Sequence, residues 1–262
     1  MFSMLPTMSV GRAVRGSVFG QAVISLAASA LLAAAGAQLA GPATPHKIAP
    51  TTVASKPSGR EKVATQLGIE HCQSNGPQVW LTFDDGGSAQ QVDRILTVLR
   101  REHVQAIFFP IGSWAEANPG IVARIARAGQ LIGDHTHDHV DLAKASDARA
   151  SWQIRHGRTH TATSVPLLRP PFGAGAYTQR LDDIATSLGM KLCTWTVDTR
   201  DWTGSSAATI IRRVRQGDAI TPRVKAGGVV IMHMNGDHTG HALPGVIHAI
   251  RARGLRLHAL PR

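Results

Sequence analysis

The sequence predicts an α/β fold, a distorted and reduced (β/α) barrel of about seven parallel strands in a single domain. The first observation is that short apolar runs alternate, from residue 79 onward, with segments whose apolar residues recur at helical spacing. The second is length, because about seven such units in roughly 190 residues are too few for the common eight-fold barrel. The third is that each unusual polar cluster directly follows a predicted strand. In a parallel barrel those strand ends meet at one rim.

The individual elements follow from apolar periodicity and from turn and capping residues. Strands are predicted at 79–83, 106–110, 130–133, 167–168, 192–197, 228–232 and 255–260. Helices are predicted around the apolar faces at 92–99, 121–125, 146–160, 181–188, 207–214 and 243–250. Asn118-Pro119 and Ser146-Asp147 are typical of helix starts.

The N-terminal part has the composition of an export signal followed by a spacer. Arg12 and Arg15 precede an uncharged, Ala-rich run at 17–40, and the first 60 residues contain no Asp or Glu. We therefore expect a signal peptide or membrane anchor at 1–40, a flexible spacer and domain entry at 41–75, and the globular domain at 76–262. The abundance of Ala and Gly favours cleavage, and an uncleaved anchor is the alternative. The expected location is secreted or in the cell envelope.

Charge and cysteine content narrow the choice of partners and of redox environment. The net charge of +11 suits an anionic partner such as a cell-wall polymer, or a basic solvated surface. The Arg residues are scattered rather than clustered, and we predict no nucleic-acid partner. Outside the cytoplasm Cys72 and Cys193 could form a disulfide, and two buried thiols are the alternative. The oligomeric state stays open.

A pair of carboxylates at the end of the first strand predicts a metal site. Asp84 and Asp85 repel each other and are costly to desolvate, and a cation would offset both effects. His135 and His139 are four apart, so on a helical turn their rings would share one face, while His137 would point away. Two His and one carboxylate leave room for water and substrate, as in hydrolytic zinc sites. Cobalt or another divalent ion also suits these ligands.

Two other interpretations of the histidines compete with this one. His156 and His160 are also four apart on a predicted helix, but the sequence shows no carboxylate near them and no strand end beneath them. The segment 135–139 could also be a solvated polar loop. The neighbouring strand end at Asp84-Asp85 favours the metal site at 135–139.

Hydrolysis at such a site also needs a base and an acid. One carboxylate of the pair would bind the ion, and the other would take a proton from the attacking water. His233 directly follows an apolar strand and suits the protonation of a leaving group. Spacing alone does not choose between Asp84 and Asp85, nor between Asp198 and Asp201.

Five ordered motifs resemble those of the polysaccharide deacetylases, the nodulation-type homology domain of carbohydrate esterase family 4. They are the segments 82–86 (TFDDG), 135–139 (HTHDH), 169–173 (RPPFG) and 198–202 (DTRDW), and the strand leading to His233. Five motifs in the family's order are a specific signal, whereas any one of them alone is weak. The resemblance covers residues 79–260 and implies a metal-dependent hydrolase of linear amides.

The resemblance implies a role for each motif residue. Asp84 would be the general base and His233 the general acid, with the metal bound by Asp85, His135 and His139.

The remaining motif residues would orient these groups or line the pocket. Arg169 would orient Asp84, and Asp201 would tune His233. The backbone N–H of Phe172 would stabilise the oxyanion, and Trp202 and Ile231 would line the pocket for the acetyl methyl group.

The sequence thus predicts an exported, metal-dependent enzyme that removes the N-acetyl group from N-acetylhexosamine residues of a glycan. Peptidoglycan is the expected substrate, followed by chitin-type oligomers. The alternatives are an O-acetyl esterase acting on a polysaccharide such as xylan, and a non-catalytic cell-wall-binding module. Gly87 departs from the family's usual Pro, and Phe172 departs from its frequent Tyr.

Overall fold

The computed structural model describes residues 69–70, 73–74, 76–176 and 178–261. A short antiparallel hairpin precedes the main domain, with strands β1 (Ile69–Glu70) and β2 (Gln73–Ser74). The remaining strands are β3 (Gln78–Asp85), β4 (Ile107–Pro110), β5 (Leu131–Ile132), β6 (Leu167–Leu168), β7 (Lys191–Leu192), β8 (Val197–Asp198), β9 (Val229–His233) and β10 (Arg256–Leu257).

Seven α-helices occur in the described part of the chain. They are α1 (Ala89–Arg101), α2 (Gly112–Ala117), α3 (Pro119–Arg127), α4 (Asp147–Thr161), α5 (Gln179–Ser187), α6 (Ala207–Gln216) and α7 (Thr239–Arg251). Short 3₁₀ turns lie at Pro171–Gly173 and Asp201–Thr203. The predicted starts at Asn118-Pro119 and Ser146 are confirmed as the N-caps of α3 and α4.

The predicted α/β barrel of parallel strands is confirmed. One ladder runs in the order β5-β4-β3-β9-β8, and β6 pairs with β7 beside it. A parallel bridge between Asp134 and Leu168 links the two groups, so strands β3 to β9 surround one interior. The carboxyl ends of these strands share a rim, as the positions of the polar clusters predicted.

The alternation of β3 separates the two sides of the barrel wall. Val79, Leu81 and Phe83 belong to the core between the sheet and the helices, whereas Trp80 belongs to the core inside the barrel. Because side chains alternate along a strand, Asp84 points inward on the side of Trp80. A carboxylate is thereby carried into the barrel interior, where it follows Trp80 and the buried polar Thr82 on the same side of the strand.

Two predicted strands differ from the structure. The run 192–197 is not one strand: β7 ends at Leu192 and pairs with β6, and β8 begins at Val197 and pairs with β9. The chain changes partners in between, which periodicity cannot reveal. The last strand is shorter than predicted, and it pairs with the start of β3, at the end opposite the polar rim.

Several predictions concern residues outside the described part of the chain. The export segment at 1–40, most of the spacer at 41–75 and Cys72 belong to this group, so the domain boundaries and the Cys72–Cys193 pairing stay predictions. Cys193 is fully buried inside the barrel. Within the described residues, no helix is both long and apolar enough to cross a membrane.

Candidate active site

Asp84 is held inside the barrel by a buried arginine. Its side chain is 2% exposed, and its Oδ1 accepts a hydrogen bond from Nη1 of the fully buried Arg169 at 2.6 Å. The same Nη1 donates to Oγ1 of Thr82 at 2.7 Å. The ion pair with Arg169 fixes Oδ1 of Asp84. The other carboxylate oxygen, Oδ2, faces the site and lies 3.8 Å from Nε2 of His135.

The guanidinium of Arg169 is itself fixed in place on its other sides. Its Nη2 donates to the carbonyl of Thr194 at 3.1 Å, and the group lies over the ring of Phe109, with 4.2 Å to the centroid. Burial lowers the pKa of Arg169, and the charge of Asp84 opposes that shift. A paired, multiply bonded arginine is the form in which a buried charge is tolerated.

Three donor atoms meet at the rim beside this pair. Oδ1 of Asp85 lies 3.4 Å from Nε2 of His135 and 3.3 Å from Nε2 of His139. Ligands about 2.0–2.2 Å from a tetrahedral zinc ion are themselves separated by roughly 3.4 Å. Nδ1 of His135 donates to the carbonyl of Arg169 at 2.7 Å, which leaves Nε2 as the ligand atom. The donor set therefore fits the predicted ion.

The electrostatic environment of these groups agrees with a cation site. Burial raises the pKa of Asp85, but hydrogen bonds and charge from His135 and His139 outweigh it and hold the pKa below its usual value. Burial disfavours the charged form of His135, yet the carboxylates of Asp84 and Asp85 raise its pKa. The cluster carries two carboxylates that a bound cation would neutralise.

The predicted helical turn at 135–139 is wrong. The segment is a loop, in which Thr136 (φ 66°) and His139 (φ 56°) have left-handed backbone conformations. Asp85 (φ 72°) shares this feature. Such conformations cost about 1–3 kcal/mol each and persist where the surrounding structure imposes them. The loop brings the two rings together, with centroids 5.0 Å apart.

Close packing of helix α4 imposes the shape of this loop. A Cβ on Gly157 would lie 2.3 Å from Oδ1 of Asp134 and 2.7 Å from the carbonyl carbon of Thr136. Only glycine allows the helix to approach so near. Asp134 is fully buried, its Oδ1 accepts from the backbone N–H of Thr136 at 2.9 Å, and burial raises its pKa to about 7.

His233 stands next to Asp84 on the neighbouring strand. The ladder between β3 and β9 pairs the two residues in register. Nδ1 of His233 donates to Oδ1 of Asp201 at 2.8 Å, and its backbone N–H donates to Oδ2 at 2.8 Å. Burial lowers the pKa of His233, but the hydrogen bond and charge of Asp201 outweigh it and raise the pKa to about 9.

Asp201 is buried at the centre of a hydrogen-bond network. Thr239 donates to its Oδ2, Thr199 to its Oδ1 at 3.2 Å, and the backbone N–H of Trp202 to its Oδ1 at 3.1 Å. Its neighbour Asp198 has a different place: Oδ1 accepts from the backbone N–H of Arg200 at 2.8 Å, which caps the strand end. The hydrogen bonds thus show that Asp201, and not Asp198, is the partner of His233, a choice that residue spacing left open.

A cavity of about 410 Å³ collects these groups, lined by Asp84, Asp85, His135, His139, Phe172, Trp195, Asp198, Trp202, Ile231 and His233. Arg169 and Asp201 do not line the cavity, but they bind two residues that do, Asp84 and His233. All ten predicted site residues therefore belong to one constellation.

Aromatic side chains form much of the cavity mouth. Phe172 (68% exposed) and Trp202 (61% exposed) are two of the few exposed large apolar side chains in the described chain. Phe172 has a left-handed backbone (φ 60°), and its ring meets that of His139 edge to face, with centroids 4.7 Å apart. Trp195 was not among the predicted site residues, because it lies between β7 and β8 and outside the five motifs.

Comparison with known proteins gives this constellation a context. The family model for polysaccharide deacetylases matches residues 72–193. A peptidoglycan-N-acetylglucosamine deacetylase from Bacillus cereus is 35% identical over 195 residues, which are 71% of this chain and 68% of that protein. A chitooligosaccharide deacetylase from Rhizobium leguminosarum bv. trifolii is 26% identical over 219 residues, 78% of this chain and 99% of that protein.

Solved structures agree with the sequence matches. The family 4 carbohydrate esterase from Streptomyces lividans, in complex with acetate, superposes with a TM-score of 0.62 at 28% identity, covering 70% of this chain and 92% of that chain. With the fold, the ordered motifs and the relatives in agreement, this chain belongs to the polysaccharide deacetylase family of carbohydrate esterase family 4, in which the peptidoglycan and chitooligosaccharide deacetylases are hydrolases of amide bonds.

Proposed function

We propose that this protein is an exported, metal-dependent deacetylase that removes the N-acetyl group from N-acetylhexosamine residues of a glycan. The observation that carries the proposal is the convergence of the Asp84 carboxylate, a two-His-one-Asp donor set and His233, which is hydrogen-bonded to Asp201, in one cavity of about 410 Å³. Asp85, His135 and His139 would bind one divalent ion, with zinc as the expected metal and cobalt as the alternative.

Asp84 is placed to act as the general base. Arg169 holds its Oδ1, and Oδ2 faces the three donor atoms, 3.8 Å from Nε2 of His135. A water molecule would lie between Oδ2 of Asp84 and the substrate. The oxygen of this water would attack the amide carbon while Asp84 accepts one of the water's protons. The ion, when bound, lowers the pKa of water and polarises the carbonyl group.

His233 is placed to complete the reaction. Attack on the carbonyl creates an oxyanion, for which the backbone N–H of Phe172 at the cavity wall is a suitable donor. When the carbon–nitrogen bond breaks, the leaving nitrogen needs a proton, and His233 supplies it from Nε2 because Asp201 binds Nδ1. The products are acetate and a free amine on the sugar. Asp84 keeps the proton of the water until the cycle closes.

Peptidoglycan is the substrate that we favour. The Bacillus cereus relative is named for that activity, and the chain resembles it at 35% identity. A net charge of +11 suits an anionic wall, and the predicted export signal would bring the enzyme to it. Exposed Trp202 and Phe172 offer flat surfaces on which a sugar ring can pack.

The decisive experiment measures acetate release from peptidoglycan, chitooligosaccharides and acetylxylan, each with added zinc or cobalt and with a chelator. We expect release from peptidoglycan, loss on chelation and recovery on adding metal. Preferred release from acetylxylan would favour an O-acetyl esterase, an option kept open by the esterase name of the Streptomyces lividans neighbour. No release from any of the three would favour a non-catalytic wall-binding module.

A single substitution tests the base. Asp84→Asn keeps the volume of the side chain but cannot accept the proton of water, so acetate release should fall by at least about 100-fold. The ligand set is unchanged, so metal content by mass spectrometry should stay near one ion at this site. Turnover close to that of the unsubstituted enzyme would exclude Asp84 as the base.

A further inference from the structure

A second group of histidines lies on the other side of the metal-binding loop. His156 and His160 project from α4, four residues apart, and the ring of His137 lies 6.2 Å and 6.1 Å from theirs, centroid to centroid. Residues four apart on a helix share one face. His137 points away from the pair His135 and His139, as the sequence predicted.

The structure removes both reasons for dismissing the pair His156 and His160. A carboxylate is present after all, because Oε2 of Glu116, on α2, lies 3.8 Å from Nε2 of His160. The pair also faces the metal-binding loop itself, which supplies His137. The three segments that meet here are distant in sequence, and no local pattern could have joined them.

The close approach of these segments depends on two glycines. A Cβ on Gly112 would lie 2.8 Å from the Cα of Gly157 and 3.0 Å from Nδ1 of His137. The backbone of α2, the helix α4 and the loop are thus packed against one another without intervening side chains. His137 is 16% exposed and His160 is 34% exposed, so both side chains are accessible from solvent.

The hydrogen bond made by Nδ1 of His156 leaves Nε2 of the same ring available as a metal ligand. Its Nδ1 lies 2.9 Å from the carbonyl of Trp152, and a carbonyl only accepts, so Nδ1 carries the proton. In the neutral ring Nε2 then keeps its lone pair. Ligating histidines commonly donate their other N–H to a backbone carbonyl in this way. Trp152 also stacks on His156, with centroids 4.0 Å apart, and restricts the ring further.

The rings of this group must move to share an ion, since among the described residues only Asp85, His135 and His139 already hold three donor atoms together. At the catalytic pair, His135 and His139, the centroids are 5.0 Å apart. The distances from His137 to His156 and to His160 exceed this value by about 1 Å. Rotation of the partly exposed rings of His137 and His160 would close this gap while His156 stays in place. Imidazole nitrogens with one carboxylate are the donors preferred by zinc, copper and nickel.

We propose that His137, His156 and His160, with Glu116, form a second binding site for a divalent transition metal. The site is separate from the catalytic one and shares with it only the loop 135–139. Its occupancy fastens helix α4 to that loop. The proposal does not depend on the reaction that the enzyme catalyses, because its test counts ions.

The test is equilibrium dialysis of the full chain against buffered zinc, with bound metal counted by mass spectrometry. We expect two ions per chain at saturation. His156→Gln/His160→Gln should lose one of them, or bind it at least about tenfold more weakly, since loss of outer partners alone costs ~10–100-fold. His241→Gln/His248→Gln removes two exposed histidines from α7 that are seven apart, and it should keep both ions.

A second readout uses the tryptophan beside the site. With zinc already bound in the catalytic site, added copper should quench the fluorescence of Trp152, and most of this quenching should be absent from Trp152→Phe. Unchanged circular dichroism and one retained ion in His156→Gln/His160→Gln would show that the variant is folded. One ion in the unsubstituted chain, or a second ion that His156→Gln/His160→Gln retains, would overturn the proposal.

Discussion

Replacing Asp201 by Asn removes a negative charge beside His233 while keeping the size of the side chain. The pKa of His233 stands at about 9, against an ordinary value of 6.5, because the bond and charge of Asp201 outweigh burial. A difference of this size corresponds to roughly 3 kcal/mol in favour of the charged ring. Without the charge, we expect the pKa of His233 to fall by about 2 units.

The change should be visible both in the protonation of one residue and in the rate. At pH 7.5 the unsubstituted enzyme keeps more than about 90% of His233 protonated, and Asp201→Asn should keep only about a quarter. The basic limb of the kcat/KM profile should therefore move to lower pH in the variant. Nuclear magnetic resonance of the ring protons in chelator-treated protein gives the pKa directly.

Stability should show the same link to pH. The raised pKa means that the contribution of His233 to folding is fully present below pH 6.5 and is lost as pH rises through about 9. Urea unfolding of chelator-treated protein should therefore show a loss on the order of 3 kcal/mol across this range. In Asp201→Asn most of this dependence should be absent.

A matched control distinguishes the loss of the Asp201 charge from a weakening of the hydrogen bonds around Asp201. Thr239→Val removes one hydrogen bond to Oδ2 of Asp201 but keeps the carboxylate. It should cost about 1 kcal/mol of unfolding free energy and leave the pKa of His233 near 9. If the basic limb of Asp201→Asn coincides with that of the unsubstituted enzyme, or if Thr239→Val moves it equally far, the account of Asp201 is refuted.

Three further substitutions test the supports of the site. Arg169→Met leaves the buried charge of Asp84 without its partner, and urea unfolding should show a loss of about 3–5 kcal/mol, whereas a loss below 1 kcal/mol would contradict the pairing. Gly157→Ala places a Cβ 2.3 Å from Oδ1 of Asp134, so the melting temperature should fall by an amount equivalent to about 1–3 kcal/mol, and an unchanged value would show that the loop yields freely. His139→Gln removes one of three ligands, so dialysis against a chelator should strip metal from it at a concentration that leaves the unsubstituted enzyme loaded.

Residue spacing alone does not show which of the two adjacent carboxylates binds the metal and which acts as the base. Asp84 and Asp85 have the same chemistry, and their order in the chain does not say which faces the barrel interior. The alternation of β3 and the buried guanidinium of Arg169 place Asp84 inside, and a left-handed backbone at Asp85 turns the second carboxylate to the two histidines. Resemblance to the family suggested this division, and the geometry gives its physical basis.

For the histidines, residue spacing selected the right residues for a structural reason that is wrong. Spacing of four selected both His135/His139 and His156/His160, and a helical turn was the expected reason for each. The first pair lies on a strained loop, where the backbone at Thr136 and His139 and the packing of Gly157 bring the rings together. Equal spacing therefore arose from two different structures.

The sequence by itself determined the parallel α/β class, the position of each polar cluster at a strand end and the family, because alternating apolar periodicity and five ordered motifs are local patterns. Only the tertiary structure decided which oxygen meets Arg169, where the strand at 192–197 changes partners, and that His137 faces His156 and His160. These outcomes depend on contacts between segments far apart in the chain, and such contacts are set by packing around one common core rather than by neighbours in sequence.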